Sequence, residues 1–208
     1  IRKDIDISVY IPEPGPLGVA GKEASMRVRS ALDQRGIELI TAAGVTEVST
    51  DGREASFTDG SSTSASIIAT IPVHRLPDIV AASGIANGKP WVSVDRATLE
   101  TSTANVFAIG DVNVVPSGDF AIPKAGVFAA GQGTKVGEVI ASRINDSDAP
   151  EPYDGVGFCF MAYSGGRAAT VGGEFLADGG PDTVLTDPSV AGNRSKERFE
   201  RDWRSFKI

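Results

Sequence analysis

Residues 101–131, TSTANVFAIGDVNVVPSGDFAIPKAGVFAAG, decide how the rest of the chain is interpreted. Their pattern predicts a buried strand over 105–109, a Gly110-Asp111 break at its end, a loop, and a helix that begins at Pro123. Ligands of open α/β sheets bind outside the carboxyl ends of the strands, and this order puts Asp111 there. A helix starting at Pro123 directs free N–H groups and a positive dipole end toward the same crevice. The stretch therefore predicts a cofactor crevice.

The run TSTANVFAIGD, which ends at Asp111, resembles the second flavin-binding motif of the pyridine nucleotide-disulfide oxidoreductase superfamily. The resemblance implies that the chain binds FAD. It implies that Gly110 and Asp111 bind the ribityl or ribose hydroxyls, with Pro123, Lys124 and Ala125 beside the isoalloxazine ring. The alternative, from the residues alone, is an ordinary strand–helix unit in which Asp111 is a turn or cap residue.

The composition favours a soluble globular protein and argues against several classes. Apolar residues make up 41% and charged residues 23% of the 208, with no apolar run long enough to span a membrane. The net charge of −7 argues against a nucleic-acid partner. The single histidine, His74, excludes multi-His metal sites, so no metal is expected. The one cysteine excludes an internal disulfide. Separately, we expect the protein to be cytoplasmic or peripheral on the membrane.

A glycine-rich phosphate-binding turn is missing. Both nucleotide-binding domains of the superfamily begin with a strand, a Gly-x-Gly-x-x-Gly turn and a helix. Here Gly15, Gly18 and Gly21 are spaced by threes among prolines. We therefore expect the C-terminal part of a longer flavoprotein, which alone would bind FAD poorly and be inactive.

The resemblance implies an α/β fold. It is a partial two-dinucleotide-binding-domain fold, glutathione reductase-like and FAD/NAD(P)-binding, that lacks its N-terminal Gly-rich βαβ units and carries a small C-terminal α+β domain. Residues 1–72 are expected to be the remainder of an NAD(P)-type domain, and residues 73–150 the C-terminal part of the FAD-binding domain. Residues 151–208 are expected to form a C-terminal interface domain.

Hydrophobic periodicity and turn residues predict the individual elements. Strands are predicted over 6–11, 37–40, 44–49, 53–58, 64–72, 91–95, 157–160 and 167–171. Helices are predicted over 21–35, 76–82, 123–144 and 194–208, with an acidic linker over 145–152. In the third helix the core-facing positions are expected to be Val127, Ala130, Val136, Val139, Ile140 and Ile144.

The phrase YDGVGFCF, residues 153–160, narrows the resemblance to the sulfide:quinone oxidoreductase and flavocytochrome c sulfide dehydrogenase group. In that group one cysteine of the C-terminal domain and one from the segment missing here flank the flavin, which implies a catalytic role for Cys159. The alternative is that Cys159 is a small buried apolar residue on a strand, between Phe158 and Phe160.

The last predicted helix is amphipathic, with Phe199, Trp203 and Phe206 on one side. It is similar to the endings of the sulfide:quinone group, which implies that it lines a quinone pocket and makes peripheral membrane contact through 194–208. The alternative is that the helix packs on the protein's own core.

The resemblance as a whole implies an enzyme, an FAD-dependent oxidoreductase that passes electrons from a small-molecule donor, sulfide, to a quinone or cytochrome. One alternative is a type II NADH dehydrogenase-like protein, and another is a non-catalytic flavoprotein-derived binding module. An exposed sheet edge could also pair with a second copy and give a homodimer.

Overall fold

The computed structural model describes residues 4–117 and 120–205. The chain divides into two compact units, Ile1–His74 and Arg75–Ile208. The division into three domains, with boundaries at 72/73 and 150/151, stays a prediction.

The first unit opens with a βαβ arrangement. Strand β1 (Ile7–Tyr10) is followed by helix α1 (Gly21–Asp33) and strand β2 (Ile37–Ile40), and the two strands pair in parallel. Gly36 ends the helical segment with a φ of 65°, a conformation that glycine adopts without a steric penalty. These three predicted elements are confirmed.

A three-stranded antiparallel sheet completes the first unit. Its strands are β3 (Val45–Val48), β4 (Glu54–Phe57) and β5 (Ser62–Ser64), in that order. Phe57 is buried and stacks on Tyr10 of β1, with ring centroids 4.1 Å apart.

The predicted apolar strand over 64–72 is wrong. β5 ends at Ser64, and Ile67 and Ile71 are 85% and 81% exposed. Beyond β5, the Ala65 N–H donates to the Arg53 carbonyl and Arg53 Nη1 donates to the Ser66 carbonyl. The pairing stops there because β4 begins at Glu54 and offers no further strand partner. Apolar content alone does not make a strand, since the ladder needs a partner.

The second unit starts with helix α2 (Asp78–Ala82) and strand β6 (Val92–Ser93), which pairs in parallel with β7 (Asn113–Val114). Strands β8 (Pro116–Ser117) and β9 (Phe120–Ala121) form a small antiparallel pair. Helix α3 (Gly126–Ile144) follows.

The predicted strand over 105–109 is reduced to a bridge between Glu100 and Phe107. Asn105 has a φ of 60° and so turns the chain at the expected strand start. Backbone hydrogen bonds from Thr101 to Val106 and from Ala108 to Leu99 hold this segment as a narrow hairpin. Local pairing with its own preceding residues has replaced a regular strand.

A three-stranded antiparallel sheet and a final helix complete the second unit. The strands are β10 (Val156–Tyr163), β11 (Arg167–Glu174) and β12 (Asp182–Leu185), and the helix is α4 (Val190–Arg204). The predicted hairpin of β10 and β11 is confirmed, whereas β12 was not predicted. The side chain of Ser189 caps α4 by accepting from the Gly192 N–H. Phe206, predicted on this helix, lies outside the described residues.

The core of the second unit lies between α3 and the sheet. Phe128 is 1% exposed and meets Phe175 edge to face, with ring centroids 5.0 Å apart. Gly157 of β10 leaves the space for this ring, because an added Cβ would lie 2.2 Å from Phe128 Cε1. The sheet and α3 are therefore locked together at Gly157 and Phe128.

The predicted start of α3 is wrong, and its predicted core face is right only in part: Val139 is buried, and Val127 and Val136 pack against the core as expected. The helix begins at Gly126 rather than Pro123, because Ala125 is the extended N-cap and the Ile122 N–H bonds to the Val115 carbonyl. The buried face is formed by Phe128, Gln132 and Val139. Ala130, Ile140 and Ile144, which were expected to face the core, are exposed. Within the described residues, no helix is both long enough and apolar enough to cross a membrane.

Candidate functional site

The Gly110-Asp111 break is a single 3-10 turn, Gly110–Val112. Gly110 has a φ of 73°, and a Cβ added there would lie 3.4 Å from Ala129 Cβ on α3. Both features favour glycine, because residues with a side chain rarely adopt this backbone conformation and because α3 leaves little room for a Cβ. The turn leaves Asp111 exposed to solvent.

A buried glutamine fixes this turn. Gln132 is 3% exposed, and its Oε1 accepts from the Gly110 N–H at 2.7 Å and from Asn113 Nδ2 at 3.1 Å. Asn113, 4% exposed, also donates to the Ala108 carbonyl at 2.8 Å. One side-chain amide on α3 thus holds the turn from within the core, where an unsatisfied polar group would be costly.

Tyr153 extends the network toward the C-terminal sheet. Its buried hydroxyl donates to the Phe128 carbonyl of α3 at 3.5 Å, one helical turn before Gln132. Burial, with a smaller contribution from Asp154, raises the pKa of Tyr153 to about 12. Tyr153 therefore stays a neutral phenol at physiological pH.

Lys124 clamps the other side of the turn. Its Nζ donates to the carbonyls of Asp111 at 2.6 Å and Asn113 at 2.7 Å. The same ammonium lies 3.7 Å from the ring centroid of Trp91, a cation–π contact. Burial lowers the pKa of Lys124, and the charge of Asp111 opposes this. The structure thus brings together Gly110, Asp111 and Lys124.

The N-terminus of α3 lies next along the chain from this clamp. Gly126 and Val127 occupy its first turn, where backbone N–H groups have no intrahelical acceptor. Pro123 lies before this turn, and Ala125 packs against the core around Phe128. A Cβ at Gly126 would have Trp203 Cζ2 as its nearest neighbour, at 3.9 Å, so the chain's own contacts leave this position open.

Cys159 lies on β10 and is partly buried. It shares one face of the sheet with Gly157, because alternate residues of a strand point the same way, and that face packs on Phe128 of α3. Burial raises the pKa of the Cys159 thiol. This environment favours the thiol over the thiolate.

Four aromatic rings gather on the other face of β10. Phe158, Phe160 and Phe199 lie with centroids 5.4 to 5.8 Å apart, and Trp203 lies 5.4 Å from Phe199. Trp203 is half exposed and is also the neighbour of Gly126 on α3. We call these four residues the aromatic cluster.

Gln132, which holds the turn, its partner Asn113 and the nearby Tyr153 were not predicted as site residues from the sequence. A signal was present: Gln132 lies four residues after Phe128 and seven before Val139, a core-facing spacing at which a polar side chain needs partners. Among residues 4–117 and 120–205, no group of three His, Cys, Asp or Glu side chains could hold a metal ion.

The architecture matches FAD/NAD(P)-binding oxidoreductases. Sulfide:quinone oxidoreductase from Aquifex aeolicus superposes with a TM-score of 0.78 at 22% identity, covering 97% of this chain and 49% of that one. A ferredoxin reductase of the CYP199A2 system from Rhodopseudomonas palustris gives 0.56 at 22% identity, covering 90% and 45%. An NAD-dependent persulfide reductase from A. fulgidus gives 0.55 at 18% identity, covering 82% and 32%.

The chain thus spans half or less of the length of these structures. No curated protein matches the sequence significantly. The sequence model for the pyridine nucleotide-disulphide oxidoreductases matches residues 5–134, which include the Gly110 turn, Lys124 and Gln132. This match covers more than half of the 208 residues. The chain belongs to the pyridine nucleotide-disulphide oxidoreductase family.

Proposed function

We propose that this chain is the C-terminal part of an FAD-dependent oxidoreductase that takes electrons from sulfide and passes them to a quinone or a cytochrome. The observation that carries the proposal is the alternation along β10. Cys159 points to the face that packs on α3, and Phe158 and Phe160 point to the aromatic cluster on the other. One strand therefore offers a thiol for sulfur chemistry and rings for a planar acceptor, and Trp203 of the cluster lies beside the start of α3.

The residues around the Gly110 turn fit a dinucleotide. The positive φ of Gly110 and its approach to Ala129 form a turn without a side chain, and Asp111 stays exposed beside it. Asp111 would accept hydroxyl hydrogen bonds, and the first N–H groups of α3 would donate to an anionic ring edge. FAD held there would supply two-electron redox chemistry.

Lys124 and Cys159 would then have separate roles, one electrostatic and one in sulfur chemistry. The ammonium of Lys124, held by two carbonyls, places a fixed positive charge at the turn, where it favours the build-up of negative charge nearby. In the net reaction H₂S loses two electrons and two protons to give zero-valent sulfur. A quinone gains two electrons and two protons to give the quinol.

Cys159 would act as a thiolate and bond to the sulfur of HS⁻, and the pair would become a persulfide by giving up one proton to solvent and two electrons to the flavin. Since burial raises its pKa, the thiolate needs a base or a cation from a group near it in the assembled enzyme. We therefore expect sulfide oxidation to rise with pH over the range in which this thiol ionises.

The test is an absorbance spectrum of the purified full-length protein, followed by anaerobic addition of sulfide and, separately, NADH. The proposal expects a flavin band that sulfide bleaches and NADH leaves unchanged. Bleaching by NADH alone would instead support the type II NADH dehydrogenase-like alternative, and the absence of flavin from a folded protein would support the non-catalytic module.

A matched pair of variants tests Cys159 itself. Cys159→Ser should abolish bleaching by sulfide while the flavin band remains. Ala162→Ser, on the same strand at an exposed position, should bleach at the wild-type rate. Equal rates for Cys159→Ser and wild type would eliminate the catalytic role of Cys159.

A further inference from the structure

Two side chains of the described residues, Gln132 and Lys124, hold backbone groups of the Gly110 turn and of Asn113 directly after it. Gln132 takes the Gly110 N–H, and Lys124 takes the carbonyls of Asp111 and Asn113. Lys124 belongs to the sequence motif, whereas Gln132 reaches the turn from the buried face of α3, 22 residues away along the chain.

We propose that Gln132 is the positioning residue for the Gly110-Asp111 turn, and that it couples this turn to α3, whose Phe128 carbonyl accepts from Tyr153 at the entrance to the C-terminal sheet. The inference rests on the proposed function where it concerns FAD, and on the geometry alone where it concerns the turn.

The hydrogen-bond capacity of the Gln132 side-chain amide fixes its orientation. Oε1 of Gln132 is filled by two donors, Gly110 N and Asn113 Nδ2. Both of these contacts need the acceptor oxygen, because the other atom of the amide, Nε2, can only donate. The amide orientation is therefore fixed, because a flipped Gln132 would present hydrogens to the Gly110 N–H.

The Gln132 amide also holds the backbone conformation of Gly110. Gly110 lies at a φ of 73°, where the orientation of the peptide between Ile109 and Gly110 decides where the chain goes next. Gln132 binds the N–H of that peptide and thereby directs Asp111 outward. Without the acceptor, the glycine is free to take other conformations, because glycine has the widest accessible range.

Three polar side chains around the turn are almost fully buried. Gln132, Asn113 and Tyr153 are 3%, 4% and 4% exposed. Among the described residues, no buried side-chain nitrogen or oxygen lacks a hydrogen-bond partner. A fully satisfied buried network has a single low-energy arrangement, since each broken bond leaves a desolvated group. Movement of α3, which Tyr153 contacts at the Phe128 carbonyl, would therefore be transmitted to the turn through Gln132.

Two substitutions of similar size separate the roles of Gln132. Gln132→Met removes the acceptor, whereas Gln132→Glu keeps an oxygen acceptor for Gly110. Val139→Ala, at another buried position of α3, controls for loss of helix packing. The first readout is hydrogen exchange at the Gly110 amide in the full-length protein, and the second is the dissociation constant for FAD.

We expect the Gly110 amide to exchange about tenfold faster in Gln132→Met than in wild type, a change of the size that one lost hydrogen bond produces. Gln132→Glu should restore protection, and Val139→Ala should leave Gly110 no more accelerated than the rest of α3. The dissociation constant for FAD should rise about tenfold in Gln132→Met alone. In the wild-type protein, a scalar coupling across the hydrogen bond should connect Gly110 N with Gln132 Cδ, which requires no variant.

Unchanged Gly110 exchange in Gln132→Met, equal acceleration in Val139→Ala, or no coupling in wild type would each overturn the positioning role. Faster exchange with unchanged FAD affinity would confine Gln132 to the turn and overturn its link to the cofactor. If the wild-type protein holds no flavin, the proposed function fails, and the exchange and coupling data still decide the positioning role.

Discussion

Arg143 and Glu100 form a two-point ion pair between the last turn of α3 and the stretch before the Gly110 turn. Nη1 donates to Oε1 at 2.8 Å and Nη2 to Oε2 at 2.6 Å. The Asn105 N–H donates to Glu100 Oε1 at 2.6 Å. The Arg143 hydrogen bonds, followed by that of Asn105, lower the pKa of Glu100 to about 2.

We expect this pair to make stability depend on pH. A carboxyl group with a lowered pKa in the folded state stabilises the fold above its unfolded pKa, and the contribution is lost as the pH falls to the folded value. Glu100→Gln should therefore be less stable than wild type at pH 7, and the difference should disappear between pH 4.5 and about 2. Urea unfolding across this range measures it, with Arg143→Gln completing a double-mutant cycle. A difference that does not change with pH would contradict the assignment.

Two glycine substitutions should have opposite effects on stability. Gly157→Ala places a methyl group 2.2 Å from Phe128 Cε1, and overpacking of this kind costs about 1–3 kcal/mol. At Gly137, an exposed position of α3, an added Cβ meets no atom within 4 Å, so Gly137→Ala should stabilise the chain by about 1 kcal/mol. Chemical denaturation of both variants decides the matter, and a stable Gly157→Ala would show that Phe128 can move aside.

Lys124→Met should lower the reduction potential of the bound flavin in the full-length enzyme. The substitution removes the positive charge that Asp111 and Asn113 hold at the turn, and a reduced, more negative cofactor loses more stabilisation than an oxidised one. Lys135→Met is the control, since Lys135 bonds instead to Glu138 and the Glu151 carbonyl. Potentiometric titration that gives equal potentials for Lys124→Met and wild type would refute this role.

Trp203→Ala should impair the reaction with quinone but not the reaction with sulfide. The side chain is half exposed in the aromatic cluster and borders the start of α3, so its loss removes a flat apolar contact for the acceptor. We expect a KM for quinone raised about tenfold or more, corresponding to about 1.4 kcal/mol, with an unchanged rate of bleaching by sulfide. Arg198→Ala, at an exposed position of α4, should change neither quantity. A slowed reaction with sulfide in Trp203→Ala would argue against separate donor and acceptor faces.

Sequence patterns predicted elements well where the periodicity and the local pairing agree. Helix α1 with Gly36 after it, and the β10–β11 hairpin around its glycines, needed only local signals. The segment 64–72 failed because a strand is defined by its partner, and apolar residues do not reveal whether one is present. The segment 105–109 failed because Asn105 takes a left-handed conformation and folds the chain back on itself.

Within the candidate site, too, residues close together in the sequence were predicted and distant ones were not. Gly110, Asp111 and Lys124 were recognised because they lie close together in the sequence, and the structure brings them into contact. Gln132 and Tyr153 act across long separations, and a helix with small residues on several faces does not reveal its buried side. Ile140 and Ile144 suggested the wrong face because they are apolar, although Phe128 and Val139 pack inside.

The two-residue repeat of β10 makes the position of its side chains sensitive to any change of register. Each step along the strand moves a side chain from the α3 face to the opposite face, so the thiol and its neighbouring rings are sorted by odd and even positions alone. Deleting Phe158, for example, would turn Cys159 toward the aromatic cluster and Phe160 toward α3, although the composition and length of the chain would scarcely change. Insertions and deletions in this short strand should therefore be tolerated far less than substitutions.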